Sequence, residues 1–593
     1  MRLLARNIKP CMHKTRLYSP KHAFMIVVSR WRAQRAAANV MHTSGFASTM
    51  RLHPLLLSLC LAVALIPAAG ASDDVRLPHL GSSADQAFTQ AEAAAYGASM
   101  LRQMRALGLV LDDPLATQFI NALGYRLVSS SESPKTRFTF FIPREDVINS
   151  FAAPGGYVGI NSGLITATQS EDELAAVMAH EISHIEQHHL QRAFADASKT
   201  TPLYALAMLG ALAAAVGGSN INAPMAIASL SQGLVVQHQI NFTRKDEAEA
   251  DRVGIQTLAN AGFNPDGMAE FFGRMQLLLR ADSGGYQVPA LLQDHPVTTL
   301  RIAEAEARAH TLKAQMAQRQ ALPASSVRLP TWETTLIPVP MLRQPGNLFS
   351  AAQRSDAPGS KRAHDDYLLM RERVRVLSST DLSALARYYA DNLARHAAFG
   401  IPSDHYGYAL VLMRSGHANA AREQLAPLLA QDPDNLPLRL AMAHAELLAG
   451  QRARALADYA RISHDWPRNQ AVALDYASAL ILDANQAAGA KAEALLRPQL
   501  DDSDAPEVYR IYGRAAELAG LKIRAAEAFA DATFLSGHAA AALDQLTRLS
   551  QRADLDYAQR ARIDARIAWL TPIVLDQRRL RANSGAAGGS DDL

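Results

Sequence analysis

Between residues 409 and 529 the chain repeats itself, and the repeat dictates helices. Ala409, Gly416, Ala421 and Pro433 recur 34 positions later as Ala443, Gly450, Ala455 and Pro467. Gly513, Gly520, Ala525 and Phe529 form another copy, displaced by 70 from the second, which leaves room for one degenerate unit around Ala477. Small residues let the two helices of a hairpin pack closely, Gly fits the turn, and Pro ends the second helix. One unit cannot bury its own apolar face, so at least four stacked units are expected to share a core.

This pattern resembles the tetratricopeptide repeat, a solenoid whose concave face normally binds an extended partner segment. Upstream of it, charge is spread unevenly. The 593 residues carry 59 Lys and Arg against 56 Asp and Glu, with 49% hydrophobic and 19% charged residues, which excludes a mainly disordered chain. Residues 1–71 hold ten of the basic residues and no acidic one, so 59 less 10 leaves 49 against 56 beyond them, a charge of −7. A mildly acidic mature chain argues against a nucleic-acid binder that works by counterion release. Cys11 and Cys60 both lie in the early segment. Without it there is no disulfide framework, thiolate nucleophile or Cys-ligated zinc, and any metal site must use His, Asp and Glu.

From Met50 the sequence has a short basic start at Arg51 and His53, an uncharged run of twelve residues from Leu55 to Ile66, and the small-x-small pattern Ala69-Gly70-Ala71. That order predicts a cleaved secretory signal over 50–71, and twelve residues are too few to anchor the chain across a bilayer. Cys60 lies inside the apolar run after Leu59, which excludes a lipidation site. Residues 1–49 are Arg-rich and acid-free and are expected to lie outside the mature protein; the alternative is a mitochondrial transit peptide.

Residues 85–128 read as helices, with Asp112-Asp113-Pro114 as a helix start. Over 137–160 the period changes to short β-rich runs, with Pro143 and Pro154-Gly155-Gly156 as turns. A helix is expected from Glu171 to about Arg192. Leu203 to Val216 carries no charge and suits a buried helix, with a flap facing a membrane or partner as the alternative. Prolines scattered over 315–365 predict a linker.

The chemistry is concentrated in His180-Glu181-Ile182-Ser183-His184. A spacing of four places both imidazoles on one helical face, within reach of one zinc ion, and Glu181 beside the first ligand can deprotonate water as a general base. His188 and His189 extend the patch and are assigned to solvent or to the shell behind the ligands. A third ligand is needed, and Glu247 and Asp251 share a helical face four residues apart. One of the pair can bind the metal while the other accepts a ring N–H from a ligand His.

These residues resemble the gluzincin peptidases related to CAAX prenyl endopeptidase, HtpX and Oma. The likeness extends to Asn149 through Tyr157, to Asn161-Ser162-Gly163, and to His295-Pro296 with Arg301, covering about residues 85–310. It implies His180, His184 and Glu247 as ligands of one zinc per chain, Glu181 as general base and Asp251 as the residue orienting a ligand His. His295 and Arg301 are implied to steady the oxyanion or gate the site, and His295 could instead fill the open zinc position until substrate displaces it. Gly156, Tyr157, Val158, Gly159 and Ile160 are expected to form an edge strand that receives substrate as an added β-strand. Ser150 stands where relatives often have Ala and is expected to matter little.

A signal peptide, a zinc domain without transmembrane helices and C-terminal repeats together resemble the periplasmic branch of these proteases, which implies work on outer-membrane β-barrel proteins. The expected fold is α+β and mostly helical. It has an upstream extension (1–49), a signal peptide (50–71), a gluzincin metallopeptidase domain with a small β-sheet (72–314), a linker (315–365), a tetratricopeptide solenoid (366–575) and a disordered tail (576–593). Expected partners are unfolded or misassembled outer-membrane proteins and, through the repeats, their assembly machinery, with peripheral membrane contact and no nucleic acid. The rival readings are a periplasmic chaperone or scaffold with a silent protease domain, and a mitochondrial Oma-like protease.

Overall fold

The computed structural model describes residues 89–132, 134, 137–193, 244–281, 291, 295–321, 361–396, 399–501 and 503–587. The expected extension, the signal segment, the apolar stretch 203–216 and the middle of the linker lie outside these residues. Among the described residues no helix is long and apolar enough to cross a membrane.

Two helices open the described chain, α1 (Gln90–Ala106) and α2 (Pro114–Ser129). The second starts where sequence placed it. The Asp113 side chain accepts from the Ala116 amide at 3.0 Å, and Pro114 occupies the first turn, where no N–H is needed. Helix α2 buries Leu115, Phe119, Leu123 and Leu127.

Three strands follow: β1 (Thr139–Phe141), β2 (Ser150–Ala153) and β3 (Tyr157–Ile160). The sheet order is β1-β3-β2, with β3 parallel to β1 (Thr139 opposite Tyr157) and antiparallel to β2 (Ser150 opposite Ile160). This corrects the expectation for Tyr157–Ile160. The segment is the central strand, hydrogen-bonded on both sides, and cannot accept a further strand; β1 and β2 are the outer ones. Alternation of residue types reports strand character but not sheet order, and the parallel crossover hides it.

After the short α3 (Ser162–Ala167), helix α4 (Glu171–Glu186) is buried on every side from Glu173 to His184. Ala175, Ala176 and Ala179 are small enough to let its neighbours close in. Helix α5 (Arg244–Asn260) crosses so near that a Cβ on Gly254 would stand 3.1 Å from the His180 backbone nitrogen. Only glycine fits there without movement, and the close crossing brings Glu247 and Asp251 to α4. The expected helix to Arg192 is interrupted: Gln187 and His188 form a turn, with His188 at φ 55°, before residues 189–193 resume helical structure. Helices α6 (Asp266–Ala281) and α7 (Thr299–Ala321) complete this layer.

The second layer is a helical solenoid. It comprises α8 (Lys361–Ser378), α9 (Leu382–Arg395), α10 (Pro402–Arg414), α11 (Ala418–Gln431), α12 (Leu436–Leu448), α13 (Arg452–Asp465), α14 (Gln470–Ile481), α15 (Gln486–Leu496), α16 (Pro506–Leu518), α17 (Lys522–Leu535), α18 (Ala539–Ser550) and α19 (Tyr557–Ala587). Gly416, Gly450 and Gly520 close the hairpin turns at φ 81°, 78° and 84°. The matching position of the degenerate unit is Ala484, held at φ 50°. Helix occupies both ends of the 315–365 stretch, since α7 runs to Ala321 and α8 starts at Lys361. Helix α19 also runs through 576–587, expected as a disordered tail, where Gln, Arg, Leu and Ala are good helix formers.

The solenoid packs on the α/β layer through α8. Tyr367 is buried there and donates to the Thr168 carbonyl at 2.8 Å. Arg373 donates Nε and Nη2 to the two Asp113 oxygens, each at 2.7 Å. One apolar cluster runs from Leu111 in the first layer to Ala528 in the second.

Candidate active site

Helix α4 presents His180 and His184 one turn apart, and their Nε2 atoms lie 3.0 Å from each other. Glu247 of α5 reaches both, with Oε2 at 3.6 Å from His180 Nε2 and Oε1 at 3.5 Å from His184 Nε2. His295 enters from the segment before α7, its Nδ1 3.3 Å from His180 Nε2 and 2.9 Å from Glu247 Oε1. Ligand atoms of these four buried residues lie within 4.8 Å of one another.

Behind the ligands sits a chain of carboxylate and guanidinium. Asp251, one turn along α5 from Glu247, places Oδ1 3.0 Å from His180 Nδ1. Arg301 donates Nε and Nη2 to the two Asp251 oxygens at 2.6 and 2.7 Å, and its Nη1 lies 2.9 Å from Glu247 Oε2. The guanidinium also stacks 4.8 Å from the Phe272 ring centroid. Arg301 thus pairs with both Asp251 and Glu247 while it also lines the pocket beside His180 and Glu181.

Glu181 is fully buried. Its Oε1 accepts from the Ser150 hydroxyl at 2.7 Å, and its Oε2 is buried without a hydrogen-bond partner. Ser150 in β2 thus touches the proposed base, contrary to the expectation that it matters little. Sequence could not show this contact, because it depends on β2 lying along α4. His295 Nε2 is 3.9 Å from Glu181 Oε1. Of the expected substrate residues, Gly156, Tyr157, Val158, Gly159 and Ile160 line no part of this cluster directly; β2 separates them from it in the sheet.

The charge balance favours a cation. Burial and the adjacent His180, His295 and His189 rings hold His184 well below its ordinary pKa, so it presents a neutral imidazole. Burial pushes Glu247 and Asp251 up, yet Glu247 is held below its ordinary value by His295, His180 and Arg301, and Asp251 by His180 and Arg301. Burial disfavours a charged His295, but the Glu247 and Glu181 carboxylates outweigh it and raise its pKa to about 9. Two imidazoles and a carboxylate, converging in a buried pocket beside a carboxylate with an unpartnered oxygen, fit a divalent metal with a water next to it. Apolar residues, among them Val177, Met268, Phe271 and Phe272, line the rest of the pocket.

Comparison with known proteins agrees with this geometry. Residues 114–309 match the model of Peptidase family M48. The chain is 30% identical over 495 residues to the beta-barrel assembly-enhancing protease of Yersinia pestis, covering 83% of this chain and 90% of that one. It is 30% identical over 501 residues to the beta-barrel assembly-enhancing protease of Escherichia coli strain K12, covering 84% and 92%. A shorter likeness, 27% over 190 residues, joins 32% of this chain to 52% of the mitochondrial metalloendopeptidase OMA1 of Schizosaccharomyces pombe.

Proposed function

The chain belongs to peptidase family M48, beside the beta-barrel assembly-enhancing proteases, and we propose that it is a periplasmic zinc-dependent endopeptidase acting on misfolded or stalled outer-membrane β-barrel proteins. The observation that carries this reading is the buried donor set of His180, His184 and Glu247 beside the buried, half-satisfied Glu181. The similarity to the bacterial proteases extends over the solenoid, whereas the mitochondrial likeness covers a third of the chain. The solenoid is taken as tetratricopeptide repeats that hold the substrate or its assembly machinery.

Zinc held by His180, His184 and Glu247 would supply Lewis acidity toward the scissile carbonyl and toward water at neutral pH. The chain's own residues do the rest. Asp251, fixed by Arg301, holds the His180 ring proton on Nδ1 and leaves Nε2 free to ligate. Ser150 orients Glu181 through Oε1 and leaves the unpartnered Oε2 to take the proton of the attacking water. The same carboxyl group then gives that proton to the leaving amine. Substrate would add along β2, the outer strand that carries Ser150, with main-chain hydrogen bonds and little sequence preference.

A second reading concerns regulation. His295 Nδ1 sits among the ligand atoms, so once its proton gives way to the metal this side chain can fill the fourth position until substrate displaces it. Cleavage of an unfolded outer-membrane β-barrel protein tests both readings. Wild-type protein should cleave and Glu181→Gln should not, while His295→Ala should cleave faster and less selectively. Equal function of Glu181→Gln in a rescue assay would favour the chaperone reading.

A further inference from the structure

We propose that His189 is a positioning residue for the metal ligand His184, the middle link of a hydrogen-bonded chain that ends on the Glu249 and Asp246 carboxylates. This rests on the metal-centre reading above. On an unbroken helix, residues 184 and 189 would lie about 140° apart around the axis, and their rings would diverge. The chain avoids that geometry. Helix α4 stops at Glu186, the Gln187 amide donates to the Ser183 carbonyl at 2.9 Å, and His188 takes the left-handed conformation at φ 55°. Glycine or asparagine normally fills such a position. The turn folds the chain back and buries the His189 ring, 1% exposed, against the end of α4.

There His189 Nδ1 lies 2.9 Å from His184 Nδ1, with the rings edge to face and their centroids 4.8 Å apart. The proton count runs one way. His184 Nε2 faces His180 and Glu247 and carries the lone pair a metal takes, so its ring proton sits on Nδ1. With His189 Nδ1 as its acceptor at 2.9 Å, the His189 proton sits on Nε2. His189 Nε2 lies 3.3 Å from Glu249 Oε2 and 3.9 Å from Asp246 Oδ1, and so ends the chain on negative charge. Arg192 Nη2, 3.0 Å from Glu249 and 3.1 Å from Asp246, holds both carboxylates in place. His180 meets its carboxylate directly through Asp251, whereas His184 reaches one through an intervening imidazole.

His189, Asp246 and Glu249 also form a three-residue donor group within 4.8 Å, but they do not make a second metal site. The Arg192 guanidinium already supplies the cation to both carboxylates, and His189 Nδ1 is committed to His184. Their chemistry is that of an outer support for the first metal.

Zinc affinity of the full chain, measured by competition with a chromophoric chelator, tests the proposal. It is paired with the thermal midpoint of the zinc-stripped protein. His189→Ala should weaken zinc binding by about 10- to 100-fold, the usual effect of removing a ligand's outer partner. His189→Gln, whose amide accepts from His184 and donates to Glu249, should restore most of it at the same zinc-stripped midpoint. Asp246→Asn/Glu249→Gln, placed on the outer side where folding is less at risk, should weaken binding several-fold. Wild-type zinc affinity in His189→Ala or in the double variant overturns the proposal, as does His189→Gln binding as weakly as His189→Ala. A wild-type protein that binds no zinc would remove the metal-centre reading itself, a failure visible without any variant.

Discussion

Asp113 performs two tasks at once, and separating them measures how the solenoid is held to the catalytic layer. Its carboxylate caps α2, which packs against α4, and it also pairs through both oxygens with Arg373 of the solenoid. Side-chain exposures of 15% for Arg373 and 11% for Asp113 leave little solvent screening. Burial alone would lower the Arg373 pKa, but Asp113 and Tyr406 raise it well above its ordinary value. Losing the cap costs about 1 kcal/mol, and stranding a buried charge costs about 3–5 kcal/mol. Arg373 keeps its bond to the Tyr406 hydroxyl at 3.1 Å and still faces the buried Asp475 carboxyl, which places the expected loss near the lower figure. Asp113→Ser retains a capping oxygen and should cost about 3 kcal/mol, with Asp113→Ala about 1 kcal/mol more. A chain of several packed layers does not unfold in one step, so native-state hydrogen exchange is the right assay. Amides of both α2 and α8 should exchange roughly 150-fold faster in Asp113→Ser, the equivalent of about 3 kcal/mol. Exchange within threefold of wild type, or an effect confined to α2, would refute the argument that this pair joins the layers.

Three further outcomes follow from particular side chains. Burial raises the Asp475 pKa to about 7 from 3.8, against the opposing Arg373. Its folded value lies above its unfolded one, so its contribution is full below about pH 4 and is lost as pH rises through 7. Asp475→Asn should therefore raise the thermal midpoint at pH 8 and leave it unchanged at pH 4; equal shifts at both values would contradict the assignment. Ala484→Gly, at φ 50°, should stabilise the solenoid by about 0.5–1 kcal/mol, read from native-state hydrogen exchange of α14 and α15, since relief of left-handed strain exceeds the entropy of added glycine. A destabilised variant would show that the Ala484 methyl packs favourably. Ser150→Ala should lower kcat roughly tenfold, the worth of one hydrogen bond to a charged group, and unchanged turnover would show that Glu181 is oriented by other contacts.

Much of the site was legible because it is local. The four-residue spacing of His180 and His184, and that of Glu247 and Asp251, survives folding because α4 and α5 are regular over those turns. Asp113-Pro114 likewise announced a helix start, and the 34-residue period announced hairpins. Long-range order and exceptions to regularity were not legible. The central place of β3 depends on a parallel pairing with β1 across residues 142–156, which no alternation of side chains reports. His189 reaches His184 only because His188 adopts a conformation that a histidine seldom takes. Ser150 meets Glu181 across 31 residues of sequence, and Arg301 reaches Asp251 across 50.

Glu181 acting as the base of a zinc peptidase is the role on which the proposed chemistry turns. Zinc content and cleavage of an unfolded outer-membrane β-barrel protein, measured on the same preparations of wild type and Glu181→Gln, test it most directly. The predicted result is equal zinc in both proteins, cleavage by the wild type, and loss of turnover by at least a hundredfold in the variant, the lower range for a general base. Cleavage by Glu181→Gln at the wild-type rate, with equal zinc, would contradict it.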